Sequence, residues 1–221
     1  MRALVKYIMA RTYRPLLVKY LSSVRTYSYA GIHLEIPPEV FHPGFFFSTK
    51  YLLAYIRRRK LHDKTFLELG AGSGLIAMYA ARQHSKVTAT DINPVAIEYL
   101  NKNAASNKVN LEIISSDLFE HIPAQKFDWI VINPPYYKKD PVTHGDHAWF
   151  CGRNGEYFRK LFRALGNHIH PASEVIMVLC DSCDIEMIRQ MAAEYSFVLQ
   201  CEQSKDTIVE KNYIFSIIPK H

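Results

Sequence analysis

The sequence predicts an α/β domain built on a mostly parallel, doubly wound sheet, preceded by a short basic extension. Apolar, strand-like runs alternate with helical patterns from residue 66 onward, as expected for a parallel sheet covered by helices on both faces. A glycine-rich turn, Gly70-Ala71-Gly72-Ser73-Gly74, follows the first run. Polar residues then stand where later runs end: Asp91, Asp117 and Asn133. With 221 residues, 48% of them hydrophobic, the chain can bury one substantial core.

Each element has a local reason. Leu4, Tyr7 and Ile8 sit at helical spacing, and Pro15 can open a second short helix that runs to Leu21. Residues 66–69 read as a strand, and the glycine turn leads into a helix over 74–83 carrying Leu75, Ile76, Met78 and Tyr79. A strand over 87–90 ends at Asp91, and Pro94, suited to a first helical position, starts a helix to about residue 105. Strands over 111–114 and 127–132 follow, the latter running into Asn133-Pro134-Pro135-Tyr136. An irregular stretch over 137–155 precedes a helix over 157–165, a strand over 175–179 and a helix over 185–195. Strands over 197–201 and 208–218 close the chain, giving seven strands from residue 66. There is no internal repeat and no low-complexity linker. The simplest division is a basic extension over 1–40 and one domain over 41–221.

Composition excludes some classes. No apolar run approaches the roughly 18 to 20 residues that span a bilayer, so no membrane role is expected. Lys and Arg total 27 against 21 Asp and Glu, and the surplus is concentrated. Every charged residue before Glu35 is basic: Arg2, Lys6, Arg11, Arg14, Lys19 and Arg25. A second cluster, Arg57-Arg58-Arg59-Lys60, ends the helix-like segment after Ser48. Such patches attract phosphate or serve as solvated faces. The acid-free start resembles a mitochondrial presequence but lacks the apolar core and cleavage site of a secretory signal, and an ordinary helical extension is the simpler reading. Four cysteines, Cys151, Cys180, Cys183 and Cys201, form no dense framework; reduced thiols in the cytoplasm are expected.

Asn133-Pro134-Pro135-Tyr136 carries the clearest chemistry. An Asn side chain offers an acceptor and a donor, while the two prolines fix φ and leave carbonyls that only accept. That set grips a flat –NH2 group, and the Tyr136 ring can stack on a planar amide or nucleobase. In a parallel sheet the glycine turn, Asp91, Asp117 and this motif all fall beyond the carboxyl ends of the strands, where ligands bind. The glycines allow close approach of a ligand, Asp91 can accept from ribose hydroxyls and Asp117 from an adenine amine. Taken singly, either acid fits a helix cap or a solvated loop.

A dinucleotide fingerprint needs a third glycine three positions after the second, and Leu75 stands there, which argues against a nicotinamide oxidoreductase. The pattern here, Glu68-Leu69-Gly70-Ala71-Gly72-Ser73-Gly74, resembles the first motif of the class I S-adenosylmethionine-dependent methyltransferases. Asp91, Asp117 and Asn133-Pro134-Pro135-Tyr136 are similar to the later motifs of that superfamily, in order and spacing, and the resemblance covers about residues 40 to 218. The segment Phe41-His42-Pro43-Gly44 before Ser48-Thr49 is similar to the lead-in of the small-domain group, which includes release-factor glutamine methyltransferases and base-amine methyltransferases of ribosomal and transfer RNA.

The resemblance implies a seven-stranded, Rossmann-like methyltransferase sheet with an antiparallel edge strand, and S-adenosylmethionine as cofactor. It implies that Glu68, Gly70, Ala71, Gly72 and Gly74 line the methionine side, Asp91 and Ile92 the ribose, and Asp117 and Leu118 the adenine. Asn133, counted with the cofactor-binding residues as well, and the Pro134 carbonyl would hold the acceptor nitrogen, with Pro135 completing the catalytic motif and Tyr136 stacking on the acceptor's plane. An RNA base amine is the leading acceptor. The lead-in has His42-Pro43-Gly44-Phe45 in place of the Pro-Arg-Pro-acid run of the glutamine-methylating subgroup, and roughly 40 residues are too few for that subgroup's N-terminal helical domain. Protein glutamine is the second reading, and a non-catalytic cofactor- or RNA-binding subunit the third. A partner subunit is left open.

Three further features have plainer readings. His144, His147 and Cys151 lack a convincing fourth metal ligand, so packing in the substrate loop is expected and no metal. Cys180-Asp181-Ser182-Cys183 has redox spacing but follows the fifth strand, and buried free thiols are expected. Phe45-Phe46-Phe47 either walls the cofactor pocket or belongs to the core.

Overall fold

The computed structural model describes residues 14–220, so Arg2, Lys6 and Arg11, with the spacing of Leu4, Tyr7 and Ile8, lie outside the described residues. Helix α1 (Arg14–Tyr20) starts beside Pro15 as expected. The next element departs from a purely helical extension: β1 (Arg25–Tyr29) and β2 (Ile32–Ile36) form an antiparallel hairpin. Its two-residue turn has Ala30 at φ 52° and Gly31 at φ 79°, the left-handed pair that matches the twist of a tight hairpin. Ile32, Leu34 and Ile36 are buried on the domain. Asn103 and Asn107, one helical turn apart, each donate to and accept from the β2 backbone, satisfying its Glu35 and His33 peptide groups.

The main sheet comprises β3 (Thr65–Leu69), β4 (Lys86–Asp91), β5 (Glu112–Ser115), β6 (Trp129–Ile132), β7 (Glu174–Cys180), β8 (Phe197–Asp206) and β9 (Lys211–Pro219). Its order is β5-β4-β3-β6-β7-β9-β8. The first five are parallel; β9 is antiparallel to both β7 and β8 and lies one position in from the edge. Helices α2 (Phe47–Ile56), α3 (Leu75–Arg82) and α4 (Pro94–Ser106) cover one face, and α5 (Glu156–Leu165) and α6 (Ile185–Glu194) the other. Alternation along the strands feeds both layers: Trp129 and Val131 face the first, Ile130 and Ile132 the second. Burial on both faces is why the central strands read as unbroken apolar runs.

Chain order reverses around β3, which lies between β4 and β6, and the carboxyl ends of these strands open into a crevice at that switch point. No helix among the described residues is long and apolar enough to cross a membrane.

Candidate active site

One cleft at this switch point gathers most of the residues singled out from the sequence. Glu68, Gly70, Ala71, Gly72, Asp91, Ile92, Asp117, Leu118 and all four residues from Asn133 to Tyr136 line it. Gly74 stands apart: a Cβ there would meet Leu100 Cδ2 at 2.6 Å, so this glycine allows α3 and α4 to pack closely. At Gly70, with φ 68°, a Cβ would meet nothing within 4 Å, and it is the left-handed backbone that requires glycine.

Asp91 fastens the floor. Its Oδ2 accepts the Gly72 N–H at 2.8 Å and its Oδ1 the Asn93 N–H at 2.9 Å. Burial raises its pKa, against the pull of the Asn93, Gly72 and Ile92 N–H groups. A carboxylate has about four acceptor positions, so these peptide groups leave capacity for a hydroxyl of a ligand in the cleft. Asn93 in turn caps α4 through the Val95 N–H and donates to the Glu39 carbonyl, tying the lead-in segment to the same corner.

Glu68 has a structural partner as well as a place in the cleft wall. Its Oε2 accepts the Ala77 N–H at 2.7 Å, in the first turn of α3, and the side chain is buried. Burial pushes its pKa up to about 8, with Asp91 adding to the rise and the Ala77 N–H opposing it. A folded-state pKa above the ordinary value means stability contributed by the protonated acid, present below about pH 4.5 and lost as pH rises through about 8. Glu68→Gln keeps an acceptor for Ala77 without a charge. Urea unfolding should therefore show Glu68→Gln gaining on the wild type as pH rises, by a few kcal/mol at about pH 8.5 relative to about pH 5. A difference between the two proteins that does not change with pH would contradict the buried-acid assignment.

Beyond β5, Asp117 is half-buried and its Oδ2 accepts from Lys160 Nζ at 2.6 Å, Lys160 also pairing with Glu120. Leu118 beside it is held in the left-handed region at φ 54°, and the Ser116 hydroxyl donates to its carbonyl at 2.9 Å. Such a conformation in a leucine is uncommon and marks a tightly determined turn. Lys160 has no distinguishing signal in the sequence. Tyr157 is also a cleft residue that sequence reading misses; burial drives its hydroxyl pKa upward, and Asp117 and Asp91 reinforce the shift.

At the other end, Asn133 is held by two side chains. Its Nδ2 donates to Thr49 Oγ1 at 3.1 Å, and its Oδ1 accepts from the Tyr136 hydroxyl at 3.0 Å. Tyr136 is thus engaged through its hydroxyl as well as its ring, and burial pushes its pKa well above the ordinary value. The rim over the cleft is aromatic. Phe41, Phe46 and Trp149 form a mutual cluster with ring centroids 4.5 to 5.2 Å apart. Of the three adjacent phenylalanines only Phe46 faces the cleft; Phe47 stacks on Tyr51, and Phe45 packs against Tyr20 and His42 at the surface.

His144 and His147 line the rim on a short 3-10 turn, whereas Cys151 is buried with its thiol directed at the Tyr137 carbonyl. Among the described residues no cluster of three or more His, Cys, Asp or Glu could hold a metal ion. The Arg57 to Lys60 cluster is far from the cleft: Arg58, Arg59 and Lys60 surround a depression with Lys64, Trp129 and Glu174, at the amino ends of β3, β6 and β7.

The methyltransferase small domain family matches residues 35–150, and the chain belongs to it. Its fold is that of the class I S-adenosylmethionine-dependent methyltransferases. A release factor glutamine methyltransferase of Geobacter sulfurreducens is 33% identical over 113 residues, covering 50% of this chain and 39% of that protein. The chain matches about half or less of the length of such curated relatives, 52% in one and 39% in the next. Among solved structures, a ribosomal protein L11 methylase from Lactobacillus delbrueckii subsp. bulgaricus superposes with TM-score 0.63 at 24% identity, covering 84% of each chain. A 16S rRNA N2 G1207 methyltransferase from T. thermophilus, in complex with AdoMet and guanosine, superposes with TM-score 0.66 at 17% identity over 90% of this chain and 50% of that one. These two likenesses establish the fold.

Proposed function

We propose that the chain transfers a methyl group from S-adenosylmethionine to a planar amine or amide nitrogen, the exocyclic amine of an RNA base being the acceptor favoured. The observation that carries this reading is Asn133, fixed at the end of β6 by Thr49 and Tyr136 with its amide in the cleft. The cleft suits the cofactor. It combines an open glycine backbone at Gly70, a carboxylate at Asp91 with spare acceptor capacity, and a second carboxylate at Asp117 next to the buried Leu118. Glu68, Ala71 and Gly72 would flank the methionine part, Asp91 and Ile92 the ribose, and Asp117 and Leu118 the adenine. The cofactor supplies an electrophilic methyl group on a sulfonium.

The chain's own residues address a poor nucleophile. The lone pair of an amide or aryl amine is delocalised, and attack requires the nitrogen to become tetrahedral while positive charge grows on it. Asn133 Oδ1 and the Pro134 carbonyl accept the two N–H bonds in that geometry, so they stabilise the transition state more than the flat ground state. The Tyr136 hydroxyl occupies one lone pair of Asn133 Oδ1 and orients it, leaving the second lone pair for the substrate nitrogen. The Tyr136 ring and the Phe41, Phe46 and Trp149 rim offer flat apolar faces to a base, and holding it in line contributes much of the remaining rate.

The likeness to the Geobacter glutamine methyltransferase supports protein glutamine as the second reading. Labelled methyl transfer into fractionated RNA and protein from cells lacking this chain separates the two. Label in an RNA base amine is the expected result; label confined to a protein glutamine would replace the acceptor, and label in neither would remove the proposed activity. Because the Arg57 to Lys60 cluster lies at the opposite end of the sheet, neutralising Arg58 and Lys60 should weaken RNA affinity and flatten its salt dependence without changing single-turnover rate at saturating RNA. Unchanged affinity and salt slope would assign these residues to a solvated face.

A further inference from the structure

The turn between β7 and α6 brings two thiols together behind the acceptor end of the cleft. The Cys183 N–H donates to the Cys180 carbonyl at 3.0 Å, closing a four-residue turn that keeps the two Cα atoms within the span a disulfide bridges. The sulfurs are 3.9 Å apart, one thiol donating to the other, and the Cys180 N–H points at Cys183 Sγ at 3.4 Å. Cys180 is buried and Cys183 is partly exposed, so an external reagent reaches the pair through Cys183. The hydrogen bond from Cys183 holds the Cys180 thiol below its ordinary pKa in spite of burial, while that bond and burial push Cys183 up. The two thiols therefore titrate as a pair.

The pair touches the reaction site through its neighbours. Cys183 and Tyr136 pack against the same core cluster. Asp184, the next residue, caps α6 through the Met187 N–H and pairs with Lys138, two residues beyond Tyr136, at 2.7 Å.

We propose that Cys180 and Cys183 are a redox modification site, converted by a low-molecular-weight disulfide into an internal disulfide that displaces the wall behind Tyr136. The coupling to Tyr136 rests on the methyltransferase reading; the redox chemistry does not. In the first step Cys183 gives up its thiol proton to solvent as its sulfur attacks the reagent disulfide, and the thiolate expelled takes up a proton from solvent. Cys180 then gives up its own thiol proton as its sulfur attacks Cys183 in the mixed disulfide, and the second thiolate expelled takes that proton. The protein loses two hydrogens and two electrons, and one disulfide becomes two thiols. The sulfurs close from 3.9 Å to about 2.0 Å, a movement close to 2 Å in a wall shared with Tyr136.

The test uses the full chain carrying Cys201→Ser, which removes the exposed thiol, equilibrated with oxidised glutathione. Intact mass should fall by two hydrogens with no glutathione retained, and dithiothreitol should reverse it. Single-turnover methyl transfer on the same samples should fall on the order of 10- to 100-fold, as expected for an ångström-scale misplacement, and recover on reduction. Adding Cys183→Ser should abolish both changes. A stable glutathione adduct, or no reaction at ratios that oxidise ordinary dithiols, would overturn the redox site. Disulfide formation with unchanged methyl transfer would overturn the coupling. The mass readout decides the redox site even for a chain that transfers no methyl group.

Discussion

Asn133→Ala should lose about 100- to 1,000-fold in turnover while keeping its affinity for S-adenosylmethionine, the usual cost of removing one preorganised polar group. The side chain is held at both ends, by Thr49 and Tyr136, so its acceptor is already oriented when substrate arrives. Orientation in advance is what makes such a group act on the transition state rather than on binding alone. Tyr136→Ala should raise KM as well as lower kcat, because a stacking face and an orienting hydroxyl go together. Tyr136→Phe separates them. The hydroxyl donates to Asn133 Oδ1, so a ring without it should fall between the wild type and the alanine variant. Steady-state kinetics on the three variants checks this order, and a Tyr136→Phe enzyme as impaired as Tyr136→Ala would assign the hydroxyl, not the ring, as the contributor.

Asp91→Ala should weaken S-adenosylmethionine binding by about 1.5 to 3 kcal/mol, roughly 10- to 150-fold, as hydrogen bonds from ribose hydroxyls to a charged group are lost. The structure adds a second consequence. Asp91 is also the acceptor for the Gly72 and Asn93 peptides, so the variant leaves two N–H groups at the cleft floor without their partner and should unfold at lower urea. Calorimetric titration with the cofactor, paired with urea unfolding, reads both. Undiminished affinity would remove the ribose assignment whatever the stability result.

Much of this site was legible because a parallel sheet converts sequence into position. Gly70, Asp91, Asp117 and Asn133 each follow an apolar run, and the carboxyl ends of adjacent parallel strands necessarily share one edge. What escaped depends on contacts that no local pattern encodes. Thr49 reaches Asn133 across 84 positions, and Lys160 reaches Asp117 across 43. Nothing in the periodicity of α5 distinguishes Lys160 from the other basic residues of that helix. The orientation of the Tyr136 hydroxyl was likewise invisible, since a stacking role and a hydrogen-bonding role call for the same residue. The hairpin is a different case. Ile32-His33-Leu34-Glu35-Ile36 alternates strictly after Ala30-Gly31, a strand and turn signal obscured by the basic, helix-compatible residues before it. The Arg57 to Lys60 run shows the reverse limit: charge was plain, but only topology places it at the amino ends of the strands, away from the cleft.

The most direct measurement is a single-turnover reaction with enzyme preloaded with methyl-labelled S-adenosylmethionine, run in parallel on wild type and Asn133→Ala with the acceptor identified by fractionation. The amine-gripping site predicts equal cofactor loading, label on an acceptor nitrogen in the wild type, and a transfer rate about 100- to 1,000-fold lower in the variant. Equal rates in the two proteins, or label on carbon or oxygen of the acceptor, would contradict it.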